Sequence, residues 1–203
     1  MTRSKLISHV VKPLLFAVCL IPLLLLGIID LGANPIETLT HHTGDWALRF
    51  LLITLAVTPL QKLTGIGEIV RVRRMLGLYA FFYAVLHAGI YFVLDQGLDF
   101  RAVVADVIER PYITIGFAVF LSLIPLAATS TNAMMRRLGG RRWKRLHRIV
   151  YLSALGAVVH FLWLVKADLR EPLIYLAILL LLLAFRTAPL LTRFRSAVFS
   201  PDH

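Results

Sequence analysis

Long apolar stretches alternate with short polar ones along this chain, and the alternation predicts membrane-spanning helices at about residues 13–29, 46–60, 75–94, 112–128, 147–165 and 172–185. The first of these follows a basic start, as a signal peptide would. Its apolar run is long for a signal peptide and reaches Asp30 without a small-x-small cleavage pattern, so a retained helix, kinked at Pro22, is expected. The fifth segment reads as helical from Trp143 to Lys166. Each connection is too short to form a soluble unit, and no internal repeat is visible. The expected fold class is therefore all-α: an integral membrane six-helix bundle, with residues 1–203 as a single domain.

Charge orients the bundle. The connection from Asp30 to Asp45 holds Asp30, Glu37 and Asp45 without Lys or Arg, whereas the next one carries Lys62, Arg71, Arg73 and Arg74. The third connection is acidic through Asp95, Asp99, Asp106 and Glu109 against Arg101 and Arg110. The fourth is the most basic of all, with Arg136, Arg137, Arg141, Arg142, Lys144, Arg145 and Arg148. A nearly balanced turn, Lys166, Asp168, Arg170 and Glu171, precedes the last helix and a basic tail with Arg186, Arg193 and Arg195. Basic connections face the cytoplasm, which places both termini there and the acidic connections outside.

Composition narrows the function. With 203 residues, 59% hydrophobic and 16% charged, the chain is no ordinary soluble domain. The net charge of +11 sits beside apolar segments instead of along one amphipathic face, so it reports membrane topology and no nucleic-acid partner is expected. Cys19, the single cysteine, rules out a disulfide framework and a cysteine-based metal site. The Leu138-Gly139-Gly140 stretch lies in a basic connection without a strand pattern, so nucleotide chemistry must come from another protein.

The candidate chemistry lies in histidines. His147 and His160 are 13 residues apart on the fifth helix, which at ~1.5 Å per residue is roughly 20 Å, about two thirds of a ~30 Å hydrocarbon core. His87 lies on the third helix at a depth matching that of His160. Imidazoles inside a span are costly unless they face protein and find a partner. Two at one depth suit the axial ligation of a six-coordinate haem. Zinc fits less well, because no Cys, Asp or Glu shares that depth. Ala84, Gly156 and Ala157 leave room beside the rings, a spacing that also serves plain helix packing. A hydrogen-bonded core histidine is the competing reading for His87 and His160, and a headgroup contact for His147. His9, His41, His42 and His203 fall outside the spans, with His41 and His42 placed to touch a partner. Thirteen steps of ~100° put His147 and His160 about 140° apart around an ideal helix, so a shared role needs separate faces or an irregularity, for which Gly156 is a possible place.

RRMLGLYAFFYAVLHAGIYF at 73–92, KRLHRIVYLSALGAVVHFLW at 144–163 and HHTGDWAL at 41–48 resemble the MsrQ (YedZ) family of haem-binding membrane subunits. That family belongs to the wider ferric reductase-like transmembrane group, with the NADPH oxidases and STEAP proteins. The resemblance implies a haem b protein of the bacterial inner membrane. It would take electrons from the quinone pool or a cytosolic flavin reductase and pass them to MsrP, a periplasmic molybdopterin enzyme that repairs methionine sulfoxide. By position, His87 and His160 match the outer haem ligands of the group and His147 an inner ligand. Arg73 and Arg74 stand where a fourth histidine would be, so His147 with these arginines is expected to meet a second haem, a haem propionate or a flavin phosphate. FMN is implied by the resemblance alone. Asp95, Asp99 and Asp106, with His41 and His42, are the expected docking residues for MsrP. Two alternatives stay open: a stand-alone ferric or quinone reductase of the same fold, and a haem-free transporter or assembly factor.

Overall fold

The computed structural model describes residues 3–165 and 167–198, with side chains for residues 5–186 except 8 and 166, and the elements assigned within them are helical. Lys166 and His203, and the side chains of Arg193 and Arg195, lie outside the described residues. In chain order the helices are α1 (Arg3–Leu6), which runs through a π-helical turn at Ile7–Val11 into α2 (Lys12–Leu25); α3 (Pro35–Thr64); α4 (Val70–Ile90), extended by a π-helical turn at Tyr91–Asp95; and α5 (Phe100–Glu109). Then follow α6 (Pro111–Ala128), α7 (Asn132–Leu138), α8 (Gly140–His147), α9 (Ile149–Leu164) and α10 (Arg170–Val198). Among the described residues, four stretches are long and apolar enough to cross a membrane: Pro35–Thr64, Gly67–Asp95, Pro111–Ala128 and Gly140–Leu164. His9–Leu25 is a shorter apolar helix.

The span expected at 112–128 coincides with α6, whereas the one expected at 46–60 is a 30-residue helix beginning at Pro35. Its early start has a local cause. Asn34 caps it, the Asn34 side chain accepting from the Glu37 N–H, and Pro35 occupies the first turn, where its missing N–H costs nothing. The polar His41–Asp45 stretch stays helical because its groups find partners: the Thr43 hydroxyl donates to the Leu39 carbonyl, and His42 Nε2 donates to the Pro22 carbonyl at 2.9 Å. The helix ends at Gly65, whose φ of 70° supplies the left-handed residue that closes a helix C-terminus. The first expected span, 13–29, stops short, with i→i+3 bonds ending α2 through Ile28.

A proline inside a helix leaves one carbonyl without its usual donor, and at Pro59 a neighbouring helix supplies it. Pro59 has no N–H to give Leu55, and the Arg186 guanidinium of α10 donates to the Leu55 carbonyl at 3.0 Å. Beside Pro22, the hydroxyl of fully buried Tyr83 reaches the backbone of α2, donating to the Cys19 carbonyl at 2.9 Å and accepting from the Leu23 N–H at 3.1 Å. Around it Phe50 stacks on Tyr83 and Phe16 meets Tyr79 edge-on, joining α2, α3 and α4. On the other side, α6 and α9 approach closely: the Ser122 and Ser153 hydroxyls pair at 2.6 Å, and Gly156 lies against Val119. Gly156 is thus a packing residue within a regular α9. The irregularity between His147 and His160 falls instead at Arg148, where i→i+3 bonds join α8 to α9.

Candidate functional site

Two half-open cavities form where α3, α4, α6 and α9 pack, the second bounded also by α7, α8 and α10. The first, of about 540 Å³, is lined by His87 of α4 and His160 of α9, with Ala84, Ala157, Leu48, Phe117 and Phe120 among its apolar walls. The two rings stand 6.2 Å apart between centroids, with planes 79° from parallel. His87 Nδ1 lies 2.9 Å from the Thr40 carbonyl and His160 Nδ1 lies 2.6 Å from the Tyr112 carbonyl. A carbonyl only accepts, so both imidazoles carry their proton on Nδ1 and keep the Nε2 lone pair free.

The two halves of this site are built alike. One helical turn after each accepting carbonyl comes a glycine, Gly44 after Thr40 and Gly116 after Tyr112. A Cβ on Gly44 would lie 3.0 Å from Cε1 and Nδ1 of His87, and one on Gly116 would lie 2.7 Å from Cε1 of His160. Each ring therefore rests on bare backbone. Ala84 and Ala157 line the cavity as expected, but Gly44 and Gly116 are the residues that make the space, and they lie on helices other than those of the histidines.

Two neutral imidazoles on opposite sides of one metal, bonded at about 2.0–2.1 Å with ring radii of roughly 1 Å, have centroids about 6 Å apart. The observed separation matches. A Nδ1–H held by a backbone carbonyl, with Nε2 left free, is also the usual outer-shell arrangement of a metal-ligating histidine. The donor set, its apolar walls and its glycine cradle fit an axially ligated haem.

The polar mouth of this cavity is shaped by α5. Asp106, expected as a docking charge, is only 13% exposed: it is paired with Arg110 at 3.0 Å and accepts from the Tyr91 hydroxyl and Gln96. Asp99 caps α5, and Asp95 is exposed. His41 is exposed on the cavity rim, whereas His42 is turned toward α2.

The second cavity, of about 480 Å³, brings together His147, Arg73 and Arg74, and adds Lys144, Arg148 and Arg186. No carboxylate is among its described lining residues. Arg73 donates to the Thr58 hydroxyl at 3.2 Å and Arg74 bonds Asn132. His147 stacks on Trp143 at 3.9 Å, and its Nε2 lies 3.0 Å from the Thr129 hydroxyl. Lys144, Arg148 and Arg186 were hidden in the sequence among the many cations that set topology. An all-cationic, half-enclosed cavity suits an anionic group such as a carboxylate or phosphate. Leu51 and Leu123 line both cavities, and Phe81 of the second stacks on Phe120 of the first at 6.3 Å and 10°. The cavities are neighbours across one layer of side chains.

Residues 43–158 match the family described as "Ferric reductase like transmembrane component". The chain is also similar to proteins named "Protein-methionine-sulfoxide reductase heme-binding subunit MsrQ". That of Rhodospirillum rubrum is 52% identical over 185 residues, 89% of this chain and 89% of the relative. That of Ralstonia nicotianae is 52% identical over 176 residues, 85% of this chain and 81% of the relative. That of Xanthomonas oryzae pv. oryzae is 50% identical over 187 residues, 87% and 85% respectively.

Proposed function

The chain belongs to the ferric reductase-like transmembrane family, and from that membership and the paired histidines we propose that it is the haem b-binding electron-transfer subunit of a methionine sulfoxide reductase system. In this reading it takes electrons from the quinone pool or a cytosolic flavin reductase and delivers them across the bacterial inner membrane to the periplasmic reductase MsrP. The carrying observation is the His87–His160 pair, 6.2 Å between ring centroids with both Nδ1 atoms held by backbone carbonyls.

Haem b, when bound, supplies one-electron redox chemistry. His87 and His160 serve as its iron ligands. The Thr40 and Tyr112 carbonyls fix their tautomer, Gly44 and Gly116 set their position, and the apolar walls keep water out. At the second cavity, His147, Arg73 and Arg74 receive a second haem, a haem propionate or the phosphate of a flavin such as FMN. The cationic lining and its closeness to the first cavity support that assignment. No substrate chemistry is assigned to the chain itself.

We also propose a single domain of six spans, with α2 and α10 as the first and last and both termini cytoplasmic. The alternation of basic and acidic connections supports this. Reporter fusions after Arg141 and Arg195 are expected to read cytoplasm, and those near Ala33 and Gly97 periplasm. A periplasmic signal at Arg141 overturns the orientation.

A dithionite-reduced absorption spectrum of the purified protein, with a pyridine haemochrome count, tests the central reading. A colourless protein excludes it and favours the haem-free alternative. Reduction of ferric chelates or quinones without any protein partner favours the stand-alone reductase.

A further inference from the structure

We propose that α5 is a membrane-surface helix, lying on its side in the leaflet on the His87 side of the bundle with Phe100, Val104 and Ile108 in the lipid. The connection from Asp95 to Arg110 reads from its charges as a solvated loop, and the structure gives it a different character. Phe100, Val104 and Ile108 are 79%, 55% and 76% exposed. At about 100° per residue they fall within one sector of roughly 80°. The next sector, with buried Val103 and with Asp106, faces the bundle. Exposed Arg101, Ala105 and Glu109 occupy the sector on the stripe's other side, centred about 100° from it. Protein, apolar side chains and a polar edge thus divide the circumference of α5 into three sectors, as they do for a helix at a bilayer interface that also packs on a protein.

Lipid is favoured as the occupant by continuity. The exposed apolar surface does not begin at α5. It runs from Val93 and Leu94 at the end of α4, within a stretch able to span the membrane, through Leu98 to the α5 stripe. Leu98 adds a second observation. It is the one non-glycine residue with positive φ among those described, at 63°, follows Gly97 at 55°, and is 64% exposed. A turn of that geometry is best served by Gly or Asn, and the local steric cost of a bulky residue there is offset when its apolar side chain is buried in lipid.

The test places a nitroxide on single cysteines V104C, A105C, I108C and E109C in the full chain, with buried Cys19 left in place. Collision with oxygen and with a water-soluble nickel chelate is measured in phosphatidylethanolamine and phosphatidylglycerol proteoliposomes. The ratio of oxygen to nickel collision is expected to be severalfold higher at 104 and 108 than at 105 and 109. Equal ratios at all four positions overturn the proposal. Nickel access at 104 and 108 that disappears only on adding a soluble reductase also overturns it, and identifies the stripe as a protein-docking face.

Discussion

The ring of His160 rests on the backbone of Gly116, so that a Cβ there would fall 2.7 Å from Cε1 and 2.8 Å from Nδ1. The opposing pair, His87 on Gly44, is slightly looser at 3.0 Å. Both glycines sit within helices, where Ala in place of Gly ordinarily stabilises by about 0.5–1 kcal/mol. Here the opposite sign is expected. Gly116→Ala should push His160 off the Tyr112 carbonyl and reduce haem bound per protein, with Gly44→Ala milder. Haem content and thermal midpoint of the two variants check this, and a more stable, fully loaded Gly116→Ala protein would show that the ring has room to move.

His87→Ala and His160→Ala should each abolish the low-spin haem signal. Removal of one imidazole leaves a metal in this cavity without its second protein donor, because among the described residues no other His, Cys or Met lines it except rim residue His41. Haem per protein and electron paramagnetic resonance read the outcome, and full low-spin haem in either variant removes the ligand assignment.

How much of this was legible beforehand differs from residue to residue. His87 and His160 stood out because an imaginary depth scale, counted along two apolar runs, put them level, and the fold brings them together. The cradle did not stand out, since Gly44 and Gly116 act on histidines 43 and 44 positions away in the chain and nothing local marks them. The start of α3 was missed for a related reason. His41, His42, Gly44 and Asp45 look like a loop when counted for hydropathy, but His42 bonds the Pro22 carbonyl of α2, Gly44 packs on His87 of α4 and Asp45 pairs with Arg49 within α3. Likewise Asp106 counted as surface charge until Arg110 and Tyr91 closed on it.

His147→Ala should leave the His87–His160 site and its spectrum intact, because the two cavities share only Leu51 and Leu123 among their lining residues. It should slow haem reduction by a flavin reductase or quinol, and Arg73→Gln should do so too. Stopped-flow reduction at matched haem content measures both, and unchanged rates leave the second cavity without a part in electron entry.

Among the acidic residues on the His87 side, Asp95→Lys and Asp106→Lys should behave differently. Asp95 is exposed and acts, if at all, through charge, so its reversal should slow reoxidation of reduced haem by MsrP at low salt. The difference should fade toward ~0.15 M ionic strength, where the screening length is about 8 Å. Asp106→Lys breaks the contacts with Arg110 and Tyr91, so its effect should persist at high salt and alter the haem spectrum. Matching salt curves for the two variants would reduce both to surface charges.

Tyr83→Phe tests how the proline in α2 is accommodated. Cys19 and Leu23 are four apart and would bond each other in an uninterrupted helix, but the Tyr83 hydroxyl stands between them and serves both. Phenylalanine fills the same fully buried space and serves neither. If Pro22 holds the rung open, the loss leaves a buried carbonyl and a buried N–H unsatisfied, at about 1–3 kcal/mol each. That is a large share of the 5–15 kcal/mol that typically separates folded from unfolded states. Tyr79→Phe is the control, because its hydroxyl bonds the Phe16 carbonyl at 2.8 Å, about one turn earlier in α2 and farther from Pro22, and contacts no backbone N–H. Tyr83→Phe should therefore lower the denaturation midpoint well below that of Tyr79→Phe. Equal and small losses would mean that α2 closes the Cys19–Leu23 rung by itself once the hydroxyl is gone.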